Sequence, residues 1–132
     1  MNVQSFLQEL RSNALLSSNS TDQLLLGSPE KDLSKIAVCM FPTVQVIRQA
    51  QSRGADLLIT HEPLFYGING TSENSIVVQM KNKLLQTSLM AVYRYHDQAH
   101  LAVEDEIALG FISEIGLQGI LKKTRYLSIA ST

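Results

Sequence analysis

Apolar positions along the chain recur in two periods, one typical of helices and one typical of strands. From Val3 to Leu15 they return every three or four residues, which predicts an amphipathic helix with one apolar face. The same spacing predicts three further helices, over 44–51, 71–86 and 104–115. The acidic residues 104–106 suit the positive end of the last of these helices and are interpreted as a helix cap. Residues 17–22 are polar and are typical of a loop.

Short continuous apolar runs predict the strands. The run 35–41 is apolar after its lysine and contains β-branched residues, which favours a strand buried on both faces, as in parallel sheets. Four other runs predict shorter strands, over 24–26, 55–59, 89–93 and 125–129. Strand, helix and strand follow one another in a βαβ order that then repeats. The sequence therefore predicts an α/β layered domain with a mostly parallel sheet flanked by helices.

Composition and charge narrow the class of protein. The 132 residues predict one domain over 1–132, and 45% hydrophobic with 17% charged residues excludes extensive disorder. No apolar run approaches the ~20 residues that span a bilayer, so a membrane partner is not expected. A net charge of −1 gives no field for a polyanion, so nucleic acid is not expected either. A single cysteine, Cys39, and an N-terminus without a secretory pattern favour a cytoplasmic location.

All three histidines lie in two short segments that follow predicted strands. His61 follows one predicted strand, and His96 and His100 follow the next one. Ligands of parallel sheets bind beyond the carboxyl ends of the strands, so these segments converge if the two strands are neighbours. With Glu62 and Asp97 they supply nitrogen and oxygen donors that suit Zn²⁺, Mn²⁺ or Fe²⁺.

The residue pattern leaves the individual roles open. Neighbours on an extended backbone point to opposite sides, so His61 and Glu62 can face different metals, or one can bind while the other orients it. Pro63 restricts Glu62 to extended conformations. A carboxylate commonly holds the tautomer of a ligating histidine, and Asp97 and Glu62 are both candidates for that position. An ordinary loop position without a ligand stays the alternative for each of these residues.

The segment around His61 resembles a known family. Residues 54–65 read Gly-Ala-Asp-Leu-Leu-Ile-Thr-His-Glu-Pro-Leu-Phe, which is similar to the G-A-D-L-[IL]-[IV]-[ST]-H-H-P hallmark of the Nif-three-like (YbgI/YqfO-like) family. The preceding segments 24–27 and 35–47 fit the same pattern, and the resemblance runs from the first helix to about Leu117. Many members carry the name GTP cyclohydrolase I type 2. The resemblance implies an α/β fold, a dinuclear divalent-metal site and a toroidal homo-oligomer.

The resemblance also implies a ligand set. His61 matches the first ligand histidine of the family, and Glu62 stands where the second histidine usually is. His96 matches a histidine four residues before the family's aspartate ligand, and His100 takes the position of that aspartate. The expected metal ligands are therefore His61, Glu62, His96 and His100, with Asp97 orienting a neighbour. Both replacements keep a side chain that can bind a metal, and this sequence looks like a His-Glu-Pro variant of the family.

Longer relatives continue into a further lobe that supplies a histidine and a glutamate ligand. The resemblance therefore makes this chain the equivalent of an N-terminal lobe, as a fragment or a natural half-length form. It implies a metal site that is incomplete within one chain, to be completed by a symmetry mate or limited to one weakly held ion. Uncovered apolar strand edges also predict self-association.

Three functions stay open at this point. The first is a metal-dependent hydrolase that acts on a small molecule; for the cyclohydrolase name this is a nucleotide attacked at C8 of its guanine ring. No P-loop in the sequence identifies GTP. The second is a non-catalytic metal-binding or chaperone-type protein that uses the same residues. The third is an assembly module in which the histidines are incidental.

Overall fold

A computed structural model describes residues 1–11, 19–66, 75–101 and 105–116, and the backbone of 118–124 and 127–131. The helices are α1 (Val3–Arg11), α2 (Val44–Ser52), α3 (Ile76–Gln86), α4 (Asp97–Leu101) and α5 (Glu106–Glu114). The strands are β1 (Gln23–Leu26), β2 (Ile36–Cys39), β3 (Leu57–Thr60), β4 (Ala91–Arg94), β5 (Gln118–Thr124) and β6 (Leu127–Ser131). Within the described residues, every helix is too short or too polar to cross a bilayer.

Four strands form one sheet in the order β1-β4-β3-β2. The strands β2, β3 and β4 are parallel, and β1 joins the edge of β4 in the antiparallel direction. The chain passes from β2 through α2 to β3 and from β3 through α3 to β4, so both connections are βαβ crossovers. The predicted α/β fold with a mostly parallel sheet is confirmed. The strands β5 and β6 pair with each other as a separate antiparallel hairpin.

The core lies on both faces of this sheet. All four residues of β3 are buried, because successive side chains point to opposite faces and each face is covered. On one face, Leu58 packs with Ile47 of α2 and Leu85 of α3. On the other face, Leu57 and Ile59 pack with α1. The buried centre of the sheet is therefore the pair β3 and β4, whose carboxyl ends carry the histidine segments.

The prediction that the 35–41 strand is buried on both faces is wrong. The strand is shorter and lies at the sheet edge, where Ala37 and Cys39 face the α2 and α3 core while Ile36 and Val38 are 38% and 75% exposed. The reason is that α1, with nine residues, packs over β3 and β4 and leaves β2 uncovered on that face. An apolar run is compatible with burial on both faces of a sheet. Whether both faces are buried depends on whether a second layer of the fold covers the strand.

Other boundaries differ by a few residues. The first helix is described to Arg11, and the remainder of its predicted range lies among residues 12–18, outside the described part of the chain. On α3 the predicted apolar positions Ile76 and Val77 are exposed, and Leu85 is the buried one. The strand β5 was not predicted, because the segment 118–124 mixes polar and apolar positions without a clear period. The final strand lies two residues later than its predicted range.

A glycine lets β1 approach β4 closely at the end of the strand. Gly27 has a backbone φ of 92°, and a Cβ built there would lie 2.7 Å from Cα of Ala91. We expect Gly27→Ala to lower the free energy of unfolding by more than about 2 kcal/mol, because the left-handed conformation and the overpacking both cost energy. Urea denaturation measures this change.

Gly110 offers a matched control inside α5. Nothing lies within 4 Å of a Cβ built at Gly110, and alanine favours a helix interior over glycine by about 0.5–1 kcal/mol. Gly110→Ala should therefore leave the unfolding free energy unchanged or raise it slightly. Equal unfolding midpoints for the two variants would contradict the close approach at Gly27.

Candidate metal centre

The two histidine segments meet because their strands are neighbours. β3 pairs with β4 in parallel register, and Thr60 lies opposite Arg94 at the end of both strands. The next residues continue the pairing, since the Tyr95 N–H donates to the Thr60 carbonyl over 2.9 Å. His61 therefore leaves β3 at the same edge of the sheet at which the other two histidines follow β4. The convergence predicted for neighbouring strands is what the sheet shows.

A short helix, α4, places His96 and His100 on the side that faces His61. His96 precedes α4 and His100 lies one turn later, with the His100 N–H donating to the His96 carbonyl over 3.3 Å. Residues four apart on a helix share a face, so both imidazoles turn toward His61. This segment was expected to be a loop, because five helical residues are too few to show a period.

A buried aspartate from the chain before β1 holds the start of α4. The Asp22 carboxylate accepts hydrogen bonds from three successive backbone N–H groups, of His96 at 2.6 Å, Asp97 at 2.8 Å and Gln98 at 2.8 Å. Asp22 is 8% exposed. These N–H groups have no partner within a helix that begins here, so the carboxylate satisfies them in the manner of a helix cap.

The three imidazoles form a compact group, called here the histidine cluster (His61, His96 and His100). Their ring centroids lie 4.5, 5.0 and 5.1 Å apart. One nitrogen from each ring lies within 4.8 Å of those of the other two. The closest pair is Nε2 of His61 and Nε2 of His100, at 3.2 Å. Such spacing brings three nitrogen donors around one point.

The outer nitrogen of each ring is held by an acceptor. Nδ1 of His61 lies 3.2 Å from the Tyr95 carbonyl oxygen. Nδ1 of His96 lies 2.8 Å from the Asp97 carboxylate, and Nδ1 of His100 lies 3.0 Å from the Asp105 carboxylate. A carbonyl or carboxylate oxygen only accepts, so Nδ1 is the donor in all three rings. Each neutral ring is therefore left with its lone pair on Nε2.

Burial and neighbouring groups shift the pKa values of His61 and of the carboxylates beside the histidine cluster. Burial lowers the pKa of His61, and the charges of His96 and His100 lower it further. Burial of Asp97 works against ionisation, but hydrogen bonds from Thr21 and His96 hold the pKa of this carboxyl at about 2. Burial opposes ionisation of Asp105 as well, and hydrogen bonds from His100 and the α5 backbone lower its pKa. Carboxylates with lowered pKa values thus lie behind His96 and His100, as is usual behind metal-ligating histidines.

A sequence model of the Duf34/NIF3 (NGG1p interacting factor 3) family matches residues 1–122. The chain belongs to this family. The family resemblance found in the sequence is thereby confirmed. The histidine cluster lies within the matched residues.

Matches to a related sequence and to solved structures are consistent with membership of this family. A GTP cyclohydrolase 1 type 2 homolog of Clostridium perfringens (strain 13 / Type A) is 40% identical over 43 residues, which are 33% of this chain and 16% of that protein. Reduced HcgD from Methanocaldococcus jannaschii has a TM-score of 0.67 at 21% identity, over 91% of this chain and 49% of its own. A Bacillus cereus protein related to NIF3 has a TM-score of 0.70 at 19% identity, and the match covers 94% of this chain and 35% of that protein. These structures share the fold, and this chain spans at most about half of their length.

The structure does not bring every predicted family ligand into the cluster. Among the described residues, the three histidines are the group whose potential ligand atoms lie within 4.8 Å of one another. The Glu62 carboxylate instead accepts a hydrogen bond from the Tyr66 hydroxyl. The Asp97 side chain lies against His96, where an orienting carboxylate would lie. A ligand role for Glu62 stays a prediction.

Sequence reasoning missed the partner of His100. Asp105 caps α5 with one carboxylate oxygen, which accepts from the Ile107 and Ala108 N–H groups. Its other oxygen faces Nδ1 of His100. The capping interpretation of 104–106 agrees with the first contact. The second contact depends on the position of the first residues of α5 relative to α4. The spacing of residues in the sequence does not predict that position. Asp22 was missed for the same reason, since its partners lie more than seventy positions away.

Proposed function

We propose that this chain binds a divalent metal ion through the histidine cluster. The observation that carries the proposal is the 3.2 Å contact between Nε2 of His61 and Nε2 of His100, in rings whose Nδ1 atoms already donate elsewhere. Two lone pairs that face each other at this distance repel unless a cation lies between or beside them. The donor set fits the group, because three imidazoles are a common ligand set for Zn²⁺ and also suit iron.

The chemistry that this site supports best is hydrolysis. A bound divalent cation supplies Lewis acidity and lowers the pKa of a coordinated water. The chain contributes the fixed orientation of the rings, through the Tyr95 carbonyl, Asp97 and Asp105. Neutral imidazole ligands would reduce the positive charge of the ion less than carboxylate ligands would, which leaves more of its Lewis acidity for a substrate. The number of ions and the assembly of chains into a homo-oligomer stay predictions.

The name of the Clostridium perfringens relative supports GTP as the first substrate to test. In that case the chain would be a metal-dependent cyclohydrolase-like enzyme acting on a nucleotide. The second candidate is metal binding without turnover. It is supported by Glu62, which stands where the family resemblance places a second ligand histidine and whose carboxylate accepts a hydrogen bond from the Tyr66 hydroxyl.

Metal analysis followed by turnover tests the proposal. The purified chain is dialysed against Zn²⁺, Mn²⁺ or Fe²⁺, the bound metal is quantified by elemental analysis, and GTP consumption is followed by chromatography. We expect stoichiometric metal in the parent chain, and none in the His61→Ala/His100→Ala double variant. GTP consumption by the loaded parent alone would support the enzyme. Bound metal without consumption of GTP would favour the non-catalytic function, and absence of metal in the parent would overturn both.

A further inference from the structure

An arginine lies at the edge of the sheet that carries the histidine cluster. Arg94 is the last residue of β4 and lies opposite Thr60 of β3. Its Nε donates to the carbonyl oxygen of His61 over 3.3 Å. The side chain is half-buried. The guanidinium group is therefore tied to the backbone of a residue whose imidazole belongs to the cluster.

Among the described residues, Arg94 forms no ion pair with a carboxylate. Within the part of the chain that the structure describes, no carboxylate lies within 4.0 Å of this guanidinium, and the ion pairs found there involve Lys31, His96 and His100. A guanidinium has five N–H donors, and the contact with His61 uses only the one on Nε. The Nη side of the group therefore has donors to offer a ligand.

The surroundings of Arg94 are polar and belong to the same edge. The Tyr66 hydroxyl donates a hydrogen bond to the carboxylate of Glu62, the residue after His61. Arg94 therefore lies against the backbone of the segment that follows β3, which carries the imidazole of His61 as well as Glu62 and Tyr66.

We propose that Arg94 binds a phosphate group of the substrate whose reacting part lies at the histidine cluster. The inference rests on the proposed function for the placement of the reacting part. The planar fork of a guanidinium matches two oxygens of a phosphate, and a partly buried fork anchored through Nε is already oriented to use its Nη donors. The substrate class is thus a phosphorylated small molecule, and Arg94 is the residue that selects it.

Calorimetric titration with inorganic phosphate tests this role. The probe is added to the zinc-loaded chain and to the metal-free chain, for the wild type and for Arg94→Gln, Arg94→Lys and Arg48→Gln. Arg48 lies exposed on α2 and provides the matched control. We expect Arg94→Gln to raise the Kd for phosphate at least about tenfold, because a charge-assisted pair of hydrogen bonds is lost. The Kd of Arg94→Lys for phosphate should lie between those of the wild type and Arg94→Gln. The Kd of Arg48→Gln should equal that of the wild type.

Two further readouts separate this role from a structural one. Zinc affinity and the thermal unfolding midpoint of Arg94→Gln should match those of the wild type. The same phosphate Kd in Arg94→Gln and wild type, or no phosphate binding by the wild type, would overturn the assignment. Arg94-dependent phosphate binding in a chain that binds no zinc would support the role of Arg94 and contradict the proposed metal site.

Discussion

Replacing His100 with alanine is expected to lower the affinity of the chain for Zn²⁺ by more than about 100-fold. The variant removes one of three nitrogens and the partner of the closest contact in the cluster. Loss of a group that only orients a ligand costs about 10–100-fold in metal affinity, so loss of a ligand itself should exceed that range. Competition with a chromogenic chelator measures the affinity.

Asp105→Asn is the matched variant for this experiment. Asparagine is as good a helix cap as aspartate, so the bonds from Ile107 and Ala108 should be kept. The anionic partner of His100 is lost, and zinc affinity should fall by about 10–100-fold. The expected order of affinity is therefore wild type, then Asp105→Asn, then His100→Ala. Wild-type zinc affinity in His100→Ala would contradict the assignment of this histidine as a ligand.

Replacing Asp22 with alanine is expected to lower the free energy of unfolding by about 2–4 kcal/mol. A lost cap costs about 0.5–2 kcal/mol, and a hydrogen bond to a charged group contributes about 1.5–3 kcal/mol. Asp22 provides three such bonds from a nearly buried position. Chemical denaturation of the metal-free chain measures the change.

The same variant should also weaken zinc binding by at least about tenfold, because the segment that Asp22 holds carries both His96 and His100. Asp32→Ala provides the control, since Asp32 is an exposed aspartate away from α4. It should change the unfolding free energy by less than about 0.5 kcal/mol. If Asp22→Ala is no less stable than Asp32→Ala, Asp22 does not hold α4 in solution.

The sequence predicted the parts of the site that depend on strand order. His61 and the segment with His96 and His100 follow consecutive apolar runs, and the βαβ pattern makes such strands parallel and usually adjacent. The positions of Asp22 and Asp105 could not be predicted in this way. Each of these aspartates acts through a tertiary contact. In the sequence, a polar residue before a strand or helix looks the same whether or not the fold places a histidine segment beside it.

The limits of the fold prediction have a related cause. Val38 and Ile36 lie in an apolar run, but α1 does not extend over β2, so these side chains are exposed. Periodicity describes one segment at a time, whereas burial depends on which segment covers it. The same holds for Ile76 on α3, which belongs to an apolar stripe and is 73% exposed.

The contact between His61 and His100 joins positions 39 residues apart in the chain. An ion held by both would close a loop that contains α3, β4 and most of α4, much as a disulfide closes a loop. Such a closure reduces the conformational entropy of the unfolded chain only while the ion also stays bound to it. An ion that binds the folded chain alone instead stabilises it by mass action. The free ion concentration would then set how often this edge of the sheet opens, and the histidine cluster would link metal supply to the lifetime of the folded chain.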